Sequence, residues 1–254
     1  MIFEVRDLWP EVPIAIGILR NPIFKYLAKQ LELYAYRNAE QVVALSQGMG
    51  DGVAKTGYPN KNIHIIPNSS DISFFQLNKK LKIGLQNKYK WNVGDKIIIY
   101  TGTLGEINGV EYLVDIANEF IEINNKVKFL IVGDGIEEQA IRNKAKIYNC
   151  LDNNLFLINQ LPKNKMPGLY NLSTIATSLF IPLKEMEANS ANKFFDTLAA
   201  GKPIVINYGG WQKDLIEKHN IGLVLARDPK VAAKALNELL KNDDTKRLIQ
   251  ISTD

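Results

Sequence analysis

The sequence predicts an α/β protein: a doubly wound parallel-sheet domain over residues 96–254, preceded by part of a second α/β domain over residues 1–77. Two observations carry this reading. From residue 96 onward, short apolar runs rich in β-branched residues alternate with stretches of helical period. The runs are nearly continuous in apolar character, as strands of a parallel sheet covered by helices on both faces are.

In the first part, a strand over residues 1–5 leads into Arg6-Asp7-Leu8-Trp9-Pro10. A long helix is expected from about Pro22 to Ala39, then a strand over 41–45, a helix from about Ser46 and a strand over 63–66. The lysine-rich polar stretch from Asn78 to Lys90 reads as a connection, assigned to residues 78–95, that runs into a short helix. The second part carries expected strands at 97–100, 127–132, 155–158, 175–181, 204–206 and 222–225, with helices near 110–124, 136–149, 165–172, 191–200, 211–219 and 229–241. The chain then stops at Ile251-Ser252-Thr253-Asp254 without a clear final helix, and a three-strand first sheet has little core. Both features suggest a truncated chain.

Composition excludes several classes. A net charge of +4 is too small to argue for nucleic acid, which needs a concentrated basic face. No apolar run approaches the roughly 20 residues of a spanning helix, and the N-terminus lacks a signal-peptide pattern, so a cytoplasmic protein is expected. One cysteine, Cys150, precludes an internal disulfide and reads as a small buried hydrophobe. With His64 and His219 the only histidines, no metal-ligand cluster is expected.

The most informative stretch runs from Asn189 to Pro203, followed by Ile204-Val205-Ile206. It reads as a polar loop, a helix capped by Ser190, a stop at Gly201 and Pro203, and a buried strand. The N-terminus of such a helix suits an anion, and Lys193 is expected to add a full charge there. Asp196 lies four residues after Asn192, on the same face and about 5.4 Å deeper. Phosphate donors at the tip with a carboxylate one turn below suit a nucleoside diphosphate whose ribose needs an acceptor.

Other motifs sit at strand ends, where open α/β sheets bind ligands. Tyr100-Thr101-Gly102-Thr103-Leu104-Gly105 follows the first strand of the second part, and its glycines allow close backbone approach to a phosphate. Val132-Gly133-Asp134-Gly135 ends the next strand, and reads equally as a tight turn or a ligand contact. After the third strand, Lys163 can meet phosphate or simply face water. Arg6 and Asp7 stand just past a strand end, where a catalytic or acceptor-binding pair would sit; a local salt bridge is the competing reading. The helix after Asn21 carries Phe24, Leu27, Ala28, Leu31, Tyr34 and Ala35 at helical spacing, flanked by Arg20, Lys25, Lys29 and Arg37. Packing on the core accounts for such a face, and shallow contact with anionic lipid stays open.

Taken in order, these segments resemble the retaining glycosyltransferases of family 4, with their two-Rossmann-domain GT-B fold. The likeness is greatest to the branch that builds bacterial surface polysaccharides and is similar to fucosamine transferases. It rests on Val5-Arg6-Asp7-Leu8-Trp9-Pro10, Val43-Ala44-Leu45-Ser46, Ile65-Ile66-Pro67-Asn68-Ser69-Ser70-Asp71, the two glycine loops, and Asn192-Lys193-Phe194-Phe195-Asp196 with Ala199-Ala200-Gly201-Lys202-Pro203. The resemblance implies a nucleotide-sugar donor, expected to be a UDP-sugar, held by the C-terminal domain. A glycan or lipid-linked acceptor is held by the partial N-terminal one. No metal or other cofactor is required, and the setting is cytoplasmic, with possible peripheral contact at the inner face of the membrane.

Carried over residue by residue, Asp196 matches the acid that binds ribose, and Gly102, Thr103 and Gly105 match the loop facing the donor phosphates, with Gly133, Lys163, Ser190, Asn192 and Lys193 completing the expected donor site. Arg6 and Asp7 fall near the family's catalytic histidine or aspartate. The first acid of the family's pair would stand at Ala188, with Glu187 one residue out of register, and Ile107-Asn108 replace a basic residue of the first loop. Against that family's pattern, the opening strands of the N-terminal domain and the C-terminal crossing helix are expected to be missing from this sequence. Two alternatives stay open: a nucleotide-sugar-binding fragment without turnover, and a GT-B-type epimerase or a dinucleotide oxidoreductase. Against the oxidoreductase stands Gly102-x-x-Gly105, which lacks the Gly-x-Gly start of the dinucleotide fingerprint.

Overall fold

A computed structural model describes residues 1–75 and 79–241. The expected end without a helix at Ile251 to Asp254, and the start of the polar connection at Asn78, lie outside the described residues. The chain forms two compact units. The first comprises Met1–Ser69, Pro182–Ala191 and Gly209–Asp214; the second comprises Ser70–Ile181, Asn192–Tyr208 and the stretch from Leu215.

The first unit is built on three parallel strands in sequential order, β1 (Ile2–Val5), β2 (Gln41–Ala44) and β3 (Ile63–Ile65). A short helix α1 (Glu11–Ala15) precedes the long crossover helix α2 (Pro22–Arg37). The start of α2 follows from its residues: Pro22 needs no amide partner at the first helical position, and Asn21 accepts from Ile23 N–H at 2.8 Å. Ser46 does the same for α3 (Gln47–Lys55), accepting from Met49 N–H at 3.1 Å. Val5, Tyr36, Val42 and Val53 make the small core.

Helix α2 turns its apolar stripe the other way from the packing on the core that its pattern allows. Ile23, Leu27, Leu31 and Tyr34, at positions i, i+4, i+8 and i+11, are 65%, 53%, 61% and 67% exposed. The side facing the sheet instead carries Ala28 and Tyr36, with Glu32 between them in the same register. Tyr36 reaches Phe3 and Tyr58 edge to face or tilted, with centroids at 5.8 and 6.3 Å. Periodicity marked a stripe, but three strands leave room to cover only one side of this helix.

The second unit has a six-stranded parallel sheet of β4 (Lys96–Thr101), β5 (Val127–Val132), β6 (Leu155–Ile158), β7 (Ile175–Ser178), β8 (Ile204–Ile206) and β9 (Gly222–Val224). Their order is β6-β5-β4-β7-β8-β9, the doubly wound arrangement with its reversal between β4 and β7. Helices α4 (Lys79–Tyr89), α5 (Glu111–Ile123), α6 (Glu138–Ile147), α7 (Met166–Leu172), α8 (Asn192–Ala199), α9 (Trp211–His219) and α10 (Pro229–Lys241) alternate with the strands or precede them. The polar connection is thus largely helical, and Leu85 and Tyr89 of α4 pack against the cluster of Trp91, Phe156 and Leu169. The other sheet face is filled by Leu113, Phe120, Phe129 and Leu236, all wholly buried. Cys150 lies in this core as expected, its thiol raised to about 11 chiefly by burial.

The apolar run expected as strand through Ile181 leaves the sheet at Ser178. Phe180 N–H is met by Asn207 Oδ1 at 2.9 Å instead of a neighbouring strand, so Leu179 and Phe180 are buried without being sheet residues. This bend lies beside the reversal point.

Candidate donor-nucleotide site

The carboxyl ends of β4 and β5 continue into two loops that are laced together by backbone. Gly102 N–H bonds Val132 O at 3.0 Å and Leu104 N–H bonds Asp134 O at 2.9 Å, while Gly133 N–H ties the second loop to β6 through Ile158 O at 3.1 Å. So close an approach needs glycine. A Cβ on Gly133 would stand 1.9 Å from Gly102 O, and one on Gly135 would stand 2.3 Å from Leu104 O. Gly102 itself has φ +133°, a conformation that L side chains rarely adopt. Gly133 therefore serves to seat the first loop. Asp134 is engaged within the fold, its Oδ1 accepting from Gln160 N–H at 3.1 Å.

The seated loop presents Gly102 and Thr103 to solvent, while Gly105 begins a single 3-10 turn over Glu106–Asn108. Helix α8 brings Lys193 to the same place. Its Nζ donates to Tyr100 Oη at 2.9 Å, and the hypothetical Cβ of Gly102 would be 3.4 Å from that Nζ. The ammonium lies 4.3 Å above the centroid of Tyr100 and 5.8 Å from that of Phe180. Burial pulls Lys193 down to about 7. The amine is therefore easier to deprotonate than the full charge expected from the sequence supposes.

Asp196 lies one turn further along α8, and its Oδ1 accepts from Ser70 Oγ at 2.6 Å. Burial raises its carboxyl, against the pull of that hydrogen bond and of Lys163. Lys163 sits 5.7 Å over the ring of Phe74 and lowers Asp71 as well, so its charge belongs to the Asp196 side of the site and not to the glycine loop. Beneath, Tyr170 Oη bonds Thr101 Oγ1 at 3.1 Å, and Thr197 Oγ1 donates to Lys193 O at 2.6 Å. The first of these bonds ties α7 to β4, and the second lies within α8. Asn192, at the exposed tip of α8, completes the group.

The remaining expected residues fall in the first unit. Ser190 stands two residues before Asn192, the first residue of α8. Within the first unit, Ser190 O accepts from Asn68 Nδ2 at 2.5 Å and its hydroxyl accepts from Asn68 N–H at 3.5 Å. Arg6 pairs with Glu4 at 3.3 Å. Asp7 stays exposed, yet nearby protein atoms raise its carboxyl more than Arg6 lowers it. Glu187 lies in a 3-10 turn over Lys184–Ala188, and Gly210 packs so closely on it that a Cβ there would stand 2.1 Å from Glu187 O.

Sequence reasoning missed two partners. Tyr100 stood in the quoted glycine motif, but its apolar strand context signalled only core. Ser70 pairs with a carboxylate 126 residues away, which no periodicity reveals. Among the described residues, no group of three or more His, Cys, Asp or Glu side chains is placed to hold a metal ion, and no helix is long and apolar enough to cross a membrane.

Comparison with known proteins bears on the fold and the family. The chain is 24% identical over 159 residues to "Spore coat protein SA" of Bacillus subtilis (strain 168), and 29% identical over 149 residues to "Putative colanic acid biosynthesis glycosyl transferase WcaI" of Escherichia coli (strain K12). These alignments take in 59% and 57% of this chain but only 41% and 36% of the relatives. Among solved structures, Anabaena Alr3699/HepE in complex with UDP and glucose superposes with a TM-score of 0.76 at 17% identity, covering 99% of this chain and 64% of that one. WaaG, a glycosyltransferase involved in lipopolysaccharide biosynthesis, also reaches 0.76 at 11% identity, covering 69% of its own length. At such identities the likeness concerns the fold, which is GT-B-like. The family described as "Glycosyl transferases group 1" matches residues 95–242, more than half of the sequence, and the chain belongs to that family.

Proposed function

We propose that the protein transfers a sugar, with retention of configuration and without a required metal, from a UDP-sugar to a glycan or lipid-linked acceptor of surface polysaccharide. One observation carries the reading: the Gly102 loop, Lys193 and Asp196 converge at the carboxyl edge of β4, beside the sheet reversal. Backbone N–H groups and Lys193 would stabilise the departing diphosphate, where negative charge grows in the transition state. Asp196, held by Ser70, would accept from the ribose. Residues 96–254 form the donor domain in this reading and residues 1–77 the acceptor side, joined through 78–95, with Arg6 and Asp7 near the reacting sugar.

Calorimetric titration with UDP and UDP-glucose tests the donor site. Asp196→Ala should weaken binding by roughly 1–3 kcal/mol, the cost of a lost buried hydrogen bond; unchanged affinity in a folded variant removes Asp196 from the site. Radiolabelled sugar transfer tests turnover, and binding without transfer would favour the reading as a nucleotide-sugar-binding chain. The outward stripe of α2, flanked by Arg20, Lys25, Lys29 and Arg37, supports peripheral contact with an anionic membrane surface.

A further inference from the structure

Tyr100 is a large wholly buried side chain, yet its hydroxyl is engaged on both sides. It accepts from Lys193 Nζ at 2.9 Å and donates its one proton to Thr103 O at 2.8 Å. The amine cannot reverse this polarity while protonated, because an ammonium only donates. The same ring supplies the face under the ammonium at 4.3 Å. Helix α8 and the first glycine loop are therefore joined through one phenol, whose loop-side partner, Thr103, is solvent-facing.

We propose that Tyr100 is a positioning residue for the donor diphosphate: it aims the Lys193 ammonium and the Thr103 backbone at the open edge beside Gly102. The proposal rests on the reading that Lys193 meets the diphosphate. The phenol oxygen favours the protonated amine, opposing the burial that pulls Lys193 toward about 7. An arriving diphosphate stabilises the same protonated form, so binding takes up a proton above neutrality. The neighbouring phenols act outside this window: Tyr100 lies well above the ordinary tyrosine value through burial, and Tyr170 on α7 is raised to about 12 mainly by burial. Asp196, raised chiefly by burial, is the other titratable group of α8, and the Lys193→Met profile below separates its titration from that of the amine.

The test is the affinity for UDP-glucose, whose own phosphates do not titrate near neutrality, measured by calorimetry on the full chain between pH 6 and 9. For the unaltered protein, affinity should fall as pH rises through 7. Tyr100→Phe removes the acceptor, so binding should weaken about tenfold at pH 8 and the midpoint should move about one unit lower. A midpoint that stays in place, whatever the affinity, overturns the proposal, because a merely structural tyrosine would weaken binding uniformly. Site-specific 3-fluorotyrosine at position 100 keeps the ring and weakens the oxygen as an acceptor; it should shift the midpoint in the same direction, and no shift again counts against the proposal. Lys193→Met separates the two layers of inference. A flat profile with weakened binding upholds Lys193 as the titrating group, while an unchanged profile refutes the reading of Lys193 itself and Tyr100 with it.

Discussion

Gly133→Ala is the substitution that the loop geometry judges most severely. Gly133 does not lie in the left-handed region, so the cost comes from space and not from backbone preference. The new methyl carbon would stand 1.9 Å from Gly102 O and must gain about 1.5 Å to reach the 3.4 Å of ordinary contact. The obstacle is backbone, so no rotamer change relieves it. Moving the Gly102 carbonyl disturbs the Gly102 N–H bond to Val132 O, 3.0 Å in the native loop. Overpacking of this kind costs about 1–3 kcal/mol, and a lost hydrogen bond about 0.5–1.5 kcal/mol. Together they predict a loss of roughly 2–4 kcal/mol, or roughly 5–15 °C in Tm for a chain of this size. The same displacement shifts the loop relative to Lys193, so UDP-glucose binding should weaken in the fraction that folds. Thermal unfolding followed by circular dichroism reads the first effect and calorimetry the second. A variant that melts within about 1 °C of the parent and binds UDP-glucose normally would refute the seating role of Gly133.

Two further predictions concern the first unit. Glu32 is raised to about 7, first by burial and then by Glu11, despite a hydrogen bond from Tyr36. An acid whose folded value exceeds its unfolded value holds more protons when folded, so it costs stability progressively as pH rises from about 4.5 to 7. Glu32→Gln should therefore raise the stability measured by urea unfolding at pH 8, by an amount reduced by solvent screening to about 1 kcal/mol, and should make little difference at pH 4; equal stability at pH 8 would refute the burial argument. The stripe of α2 makes the other prediction. The chain should float with vesicles containing anionic phosphatidylglycerol and lose that binding on Leu27→Glu with Leu31→Glu, whereas flotation unaffected by the double change, or none at all, would assign the face to protein contacts.

Much of the fold was legible because local chemistry and burial agree. The β-branched runs mark β4 through β9, and the expected strand at 97–100 differs from Lys96–Thr101 by a residue at each end. Disagreement arises where burial does not imply a strand, as at Phe180, whose amide is served by an asparagine side chain. Periodicity likewise marked the stripe of α2 but carries no information on which side the sheet covers. For the site, glycine spacing located both loops, and the position of Asp196 on α8 followed from helical spacing. The surroundings of Lys193 were not legible, because the rings beside it belong to Tyr100 and Phe180, which stand 93 and 13 positions away in the chain.

The lacing of the glycine loops bears on how this protein can change over generations. The frame of the site is held by main-chain groups of Gly102, Leu104, Val132, Gly133 and Asp134, which every sequence supplies so long as the crowded positions stay small. The side chains that look outward from that frame, such as Thr103, Glu106 and Asn192, bear none of its weight. If the proposed function holds, substitution at these exposed positions would vary ligand preference while the backbone frame stays in place, so preference would diversify far more easily than the architecture that supports it.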